Sequence, residues 1–338
     1  ATGIPAGLWR ELLADTRGPL TNKVVSGQYA PGSTYKMVVA LAGLEAGAIT
    51  PDQRIQCPGH MDFGDNRFHC WRRGGHGPVD MVEAIQQSCD VYFYELARRV
   101  GIDRISAMSR RLGLGQALGV DLPGERAGLM PTRAWKEAVH GKPWAQGDTL
   151  VAGIGQGFVL ATPLQLAVMT ARMANGGRAV EPHFARQRIE GSALLDRAEE
   201  AAPSIGIPQR HLAVVLKAMS SVVNDPRGTA FRARIEEPEF SMGGKTGTSQ
   251  VRRITAQERA TGMRRTHEVP WNEREHALFV GFAPVREPRY ACAVIVEHGG
   301  GGSAVAAPIA RDILLEAQKR DSAGRAMRRA RAGGLAPT

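Results

Sequence analysis

The order in which apolar spacing changes along this chain limits the folds open to it. Before residue 224 most apolar segments recur at helical intervals; between 241 and 298 they run in short strand-like blocks; from 303 the helical interval returns. Pro31-Gly32 forms a turn that opens an apolar segment, Ser33 to Leu44, expected to be a buried helix. Val82, Ile85, Val91, Tyr94 and Leu96 mark residues 80–100 as helical. Thr162 and Pro163 read as the cap and first turn of a helix that stops at Gly176-Gly177, and residues 208–224 form another. Ser241 to Val251, His276 to Val285 and Arg289 to His298 read as strands, the last two joined as a hairpin across Arg286-Glu287-Pro288; Ser303 to Gln318 is a closing helix. Helices first, then strands, then a helix argue for an α+β fold: a helical subdomain beside an antiparallel sheet. Residues 51–79 are polar and rich in Gly, Cys and His, with no clear period, and no internal repeat is present.

At 338 residues the chain suits one large domain or two modest ones. Its net charge of +10 is not gathered into a nucleic-acid motif, so no nucleic-acid partner is expected. The densest basic run, Arg325 to Arg331, lies in a stretch expected to be a frayed tail, 323–338, after a domain spanning 1–322. No window of about 18 apolar residues is present. The sequence begins Ala1-Thr2-Gly3 without Met, which reads as a piece of a longer protein.

Three short motifs carry chemistry: Ser33-Thr34-Tyr35-Lys36, Ser88-Cys89-Asp90 and Lys245-Thr246-Gly247-Thr248. Residues three apart on a helix share a face, so the Lys36 amine is expected against the Ser33 hydroxyl, where a neutral lysine can take its proton. Lys245, Thr246 and Thr248 on a strand suit a carboxylate. Gly247 permits close backbone approach, and the Thr248 N–H suits half of an oxyanion hole. Singly, each motif is also explained by capping, by a surface lysine or by a Gly-rich hairpin. Together and in this order they form the set found in serine β-lactamases and penicillin-binding proteins.

The surrounding residues sharpen that resemblance. Gly27 to Lys36, Gly153 to Gly157, Ala161 to Ala167, Gly244 to Val251 and His276 to Pro284 resemble class B penicillin-binding proteins. Cys70-Trp71, Gly74 to Gly77 and Ser88 to Tyr94 most resemble the elongation-specific penicillin-binding protein 2 branch, and the likeness covers residues 1 to about 320. The resemblance implies the penicillin-binding, serine β-lactamase-like transpeptidase fold and a D,D-transpeptidase acting on peptidoglycan stem peptides. In that scheme Ser33 is the nucleophile and Lys36 the general base. Ser88 and Lys245 deliver a proton to the leaving D-Ala, and Thr246 and Thr248 hold the substrate carboxylate. It implies covalent trapping by β-lactams. It further implies a periplasmic domain of an inner-membrane-anchored parent, with a RodA-type glycosyltransferase and MreC as partners. A serine β-lactamase, a D,D-carboxypeptidase or a β-lactam sensor shares the same motifs, although no E-x-x-x-N-type deacylating segment lies between the second and third. Asp90 stands where the family usually has Asn; an ionised Asp accepts but does not donate hydrogen bonds, and beside a lysine it opposes general-base action.

Of the four cysteines, Cys292 sits in an apolar strand as a small buried side chain. Cys57, Cys70 and Cys89 with His76 follow the pattern C-x12-C-x5-H-x12-C, a Cys3His set suited to one structural zinc ion. A Cys57–Cys70 disulfide and three unrelated thiols are the competing readings, and His60 and His69 are rival ligands.

Overall fold

The computed structural model describes residues 3–185, 187–190, 193–196, 202–252, 258 and 268–321. The expected tail, 323–338, and most of the Arg- and Glu-rich segment 252–275 lie outside the described residues.

One helix, Lys36–Glu45, forms the centre of the molecule. Its sequence is apolar all round apart from its ends, and residues 36 to 44 are buried, as a core helix requires. Helices Asp90–Val100, Ile102–Arg111 and Gln209–Asn224 pack around it. It does not begin at Ser33: Gly32–Tyr35 is a tighter 3₁₀ turn, and the α-helix starts at Lys36. The helical segment 80–100 is two helices, Met81–Gln86 and Asp90–Val100, with the Ser88-Cys89-Asp90 motif interrupting it after Gln86-Gln87 as the sequence suggests. The first starts from an Asp80 and Glu83 capping box. The break falls at Ser88, whose φ of 58° is left-handed and so cannot continue a right-handed helix. Residues 51–79 resolve into two antiparallel ribbons, Ile55–Cys57 with Gly77–Val79 and His60–Phe63 with Asn66–His69. Such short pairs carry too few alternating residues to show a period.

The three expected strands are Gly243–Ser249, His276–Ala283 and Tyr290–Val296, adjacent in that order and antiparallel throughout. Helix Ala306–Arg320 packs on the second and third strands, as does helix Pro163–Ala174, while helix Gln209–Asn224 covers the first. The Thr162 hydroxyl caps helix Pro163–Ala174 as its sequence foretells, accepting from the Gln165 N–H at 3.2 Å. The fold is α+β, as the spacing of apolar residues implies. The register sets Lys245 opposite Val280 and Gly247 opposite Leu278, and leaves one edge of the first strand free of sheet partners. The Gly32–Tyr35 turn docks there. Gly32 has φ 54°, and a Cβ at that position would sit 2.5 Å from the Thr248 carbonyl oxygen, so only glycine lets the turn meet the strand.

Candidate active site

The three motifs meet in one cleft of about 840 Å³, lined by Ser33, Ser88, Asp90, Thr246, Gly247 and Thr248 among others. Each arrives from a different element: the 3₁₀ turn, the break between two helices, and the edge strand.

At its centre is the Ser88 hydroxyl. Lys245 Nζ donates to Ser88 Oγ at 2.9 Å, and Lys36 Nζ donates to it at 3.2 Å. Both lysine side chains are fully buried. A neutral Lys245 amine can instead accept the Ser88 proton over the same distance, which lines up Lys36, Ser88 and Lys245 for proton transfer. Lys36 Nζ also donates to the Ser88 carbonyl at 2.9 Å and to Asp90 Oδ1 at 2.7 Å. Among the described residues no hydrogen bond joins Lys36 Nζ to Ser33 Oγ. The hydrogen bonds described for the Lys36 amine go to Ser88 and Asp90 of the second motif. Asp90 does pair with a lysine, the arrangement its carboxylate suggests. Burial pushes the Asp90 carboxyl up, against the pull of the Lys36 charge.

Burial, helped by the charge of Lys36, holds Lys245 well below the usual lysine range. The unfolded chain therefore binds a proton that the native amine releases, and stability rises with pH between the depressed native value and the ordinary value near 10.4. Lys245→Met is expected to flatten that rise, measured as urea unfolding free energy between pH 6 and pH 9; an unchanged slope contradicts a depressed Lys245.

Gly247 is needed by the protein itself: a Cβ there would lie 2.8 Å from Thr34 Cγ2. Three lining residues were given no role from the sequence. Thr229 Oγ1 lies 2.8 Å from Thr246 Oγ1, and Gln156 Nε2 donates to the Thr248 carbonyl at 3.1 Å. The Trp71 N–H donates to Asp90 Oδ2 at 2.9 Å. Gln156 sits in a Gly-rich stretch that carried a signal; Thr229 and Trp71 reach the cleft only through tertiary folding.

Beside the cleft, one ligand atom each from Cys57, Cys70, His76 and Cys89 lies within 4.8 Å of every other. His76 Nδ1 is 3.6 Å from Cys57 Sγ and 3.5 Å from Cys70 Sγ. Tetrahedral zinc with Zn–S of about 2.3 Å and Zn–N of about 2.0 Å would place S and N roughly 3.5 Å apart. The thiols are free, and His76, rather than His60 or His69, completes the group. Hydrogen bonds from Cys70 and Cys89 hold the Cys57 thiol far below its ordinary range, and the same contacts push Cys89 up. Three thiols so close cannot all ionise without a cation, so the donor set fits a zinc ion. Gly75, at φ 75°, makes the gathering possible: a Cβ there would lie 2.1 Å from the Cys57 carbonyl oxygen. The Asp90 N–H donates to Cys70 Sγ at 3.4 Å, tying the cluster to the second motif.

Known proteins match this arrangement. The penicillin binding protein transpeptidase domain matches residues 8–315. Peptidoglycan D,D-transpeptidase MrdA of Salmonella typhimurium is 37% identical over 316 residues, 92% of this chain and 50% of that protein. The crystal structure of Pseudomonas aeruginosa PBP2 in complex with WCK 5153 is 40% identical with a TM-score of 0.80, covering 95% of this chain and 65% of that one. Helicobacter pylori PBP2, solved as a complex with MreC, is 32% identical with a TM-score of 0.80, covering 94% and 55%. The chain thus spans about half the length of the MrdA relative.

Proposed function

Because the chain belongs to the penicillin-binding protein transpeptidase family, we propose that it is the catalytic part of a peptidoglycan D,D-transpeptidase of the penicillin-binding protein 2 kind. The observation that carries this is the Ser88 hydroxyl held between two buried lysines in the cleft that Ser33 lines.

Ser33 Oγ attacks the carbonyl carbon of the penultimate D-Ala of a stem peptide. Lys36 is the general base. It passes a proton through Ser88 Oγ to Lys245, whose burial favours the neutral amine, and so can take the Ser33 proton. The N–H groups of Ser33 and Thr248 receive the developing oxyanion. As the C–N bond breaks, Ser88 gives its proton to the departing D-Ala nitrogen and is recharged by Lys245. Thr246 and Thr248 hold the terminal carboxylate, with Thr229 fixing Thr246. An amine from a second strand then attacks the Ser33 ester, and Ser33 recovers its proton. A β-lactam enters as a mimic of D-Ala-D-Ala and stays on Ser33. The acyl transfer itself calls on no cofactor.

Cys57, Cys70, His76 and Cys89 would hold a structural zinc ion. When bound it supplies rigidity, fixing Cys89 and so the flanking Ser88 and Asp90. In this reading residues 1–322 are the transpeptidase domain and 323–338 its tail. The parent is anchored in the inner membrane with this domain in the periplasm, beside a RodA-type glycosyltransferase and MreC. Among the described residues no helix is long and apolar enough to cross a membrane.

The lifetime of the acyl-enzyme tests the choice of activity. Labelled penicillin is expected to remain on the protein for many minutes, and peptide dimers are expected to form from stem pentapeptides. Release within seconds points to a β-lactamase, D-Ala release without dimers to a carboxypeptidase, and labelling without either product to a sensor.

A further inference from the structure

We infer that Trp71 is a positioning residue for Ser88, acting through its indole N–H; this rests on the acyl-transfer reading above.

Ser88 stands in a left-handed conformation with φ 58°, which is strained for a residue with a Cβ. Something must hold it there. Its carbonyl oxygen receives two donors, Lys36 Nζ at 2.9 Å and Trp71 Nε1 at 3.1 Å. Trp71 Nε1 also lies 3.1 Å from the carbonyl oxygen of Gln87, so one indole N–H straddles the two residues at the break between helices. The main-chain N–H of Trp71 meanwhile donates to Asp90 Oδ2, while Oδ1 takes Lys36. Trp71 therefore grips both ends of the Ser88-Cys89-Asp90 segment, and it follows directly on Cys70 of the thiol cluster.

Core packing does not account for this residue. Its side chain is 59% exposed, and its ring lines the cleft. A tryptophan so placed contributes little buried area, whereas its N–H meets a carbonyl that the strained backbone presents. Main-chain bonds from the Ser88 N–H to the Ile85 carbonyl and from the Cys89 N–H to the Ala84 carbonyl close the end of the preceding helix, but without the indole donor the Ser88 carbonyl keeps only Lys36 and its peptide is freer to tilt. Tilting carries Oγ away from Lys245, so proton delivery slows while the binding surface of the cleft is retained.

The test replaces Trp71 by 3-benzothienylalanine through amber suppression, which exchanges the indole N–H for sulfur and keeps the ring's shape; Trp71→Phe serves as a second variant. Penicillin acylation is followed in the pre-steady state to separate the acylation rate constant from the initial dissociation constant, with thermal midpoint and bound zinc measured on the same samples. The expected result is an acylation rate constant reduced about tenfold in both variants, the scale of one hydrogen bond. For the isostere, dissociation constant, midpoint and zinc content stay unchanged. An unchanged rate constant in the isostere overturns the inference, as does a fall that tracks lost zinc or a lowered midpoint. If the unaltered protein is not labelled at Ser33, the acyl-transfer reading itself fails, which is a separate outcome.

Discussion

Lys36→Ala is expected to slow acylation by penicillin about a thousandfold, the range of a lost general base. The same change removes the partner of a buried carboxylate: Lys36 and Asp90 form a 2.7 Å ion pair, with the lysine fully buried. Breaking such a pair costs about 3–5 kcal/mol because one charge stays behind unpaired, a large share of the stability of an ordinary domain. Loss of activity in the single variant therefore mixes chemistry with folding. The double variant Lys36→Met with Asp90→Asn separates them, since it leaves no unpaired charge. It is expected to recover most of the lost stability in urea unfolding and none of the lost acylation. Recovery of acylation in that double variant contradicts a base at Lys36.

Removing zinc is expected to cost both the fold of residues 55–89 and the chemistry. The purified protein should carry about one zinc per chain, and less than about 0.2 rejects the site. Zinc bound by thiolates and imidazole contributes on the order of 10 kcal/mol to folding in small sites, comparable with the whole stability of many domains. Chelation should thus lower the thermal midpoint by more than about 10 °C. Acylation should fall at least about tenfold, because Cys89 lies between Ser88 and Asp90 and Cys70 Sγ accepts from the Asp90 N–H. Cys89→Ser should behave like the chelated protein. Cys292→Ser should not, since Cys292 lies in the third strand, outside the cluster, its thiol pushed up to about 12 by burial against the pull of a Gly281 main-chain bond. Acylation that is indifferent to chelation contradicts the link between the metal and the cleft.

The sequence discloses local things well. The strands, the Thr162 cap and the three motifs each depend on residues within a few positions of one another, and the structure assembles those motifs in one cleft. What sequence spacing does not disclose depends on backbone conformation and distant partners. The Ser-Cys-Asp motif marks an interruption within 80–100, but the left-handed backbone of Ser88 at that point leaves no mark on apolar periodicity. The S-x-x-K spacing points Lys36 at Ser33, but it does not disclose that the amine also bonds Ser88 and Asp90, more than fifty positions away. Trp71 enters the resemblance beside Cys70, but its role is not legible there because its partners lie 16 to 19 positions away. The Cys3His pattern is legible because its residue types are rare, while the choice of His76 over His60 and His69 needed the one ribbon that pairs the latter two with each other.

The central claim is that a hydroxyl at position 33 is acylated in the cleft it shares with Ser88 and Lys245. Penicillin-treated protein, digested and analysed by mass spectrometry, is expected to carry the intact drug's added mass on the peptide containing Ser33, with no adduct in Ser33→Ala. An adduct mapped to another residue, or one that persists in Ser33→Ala, contradicts the account.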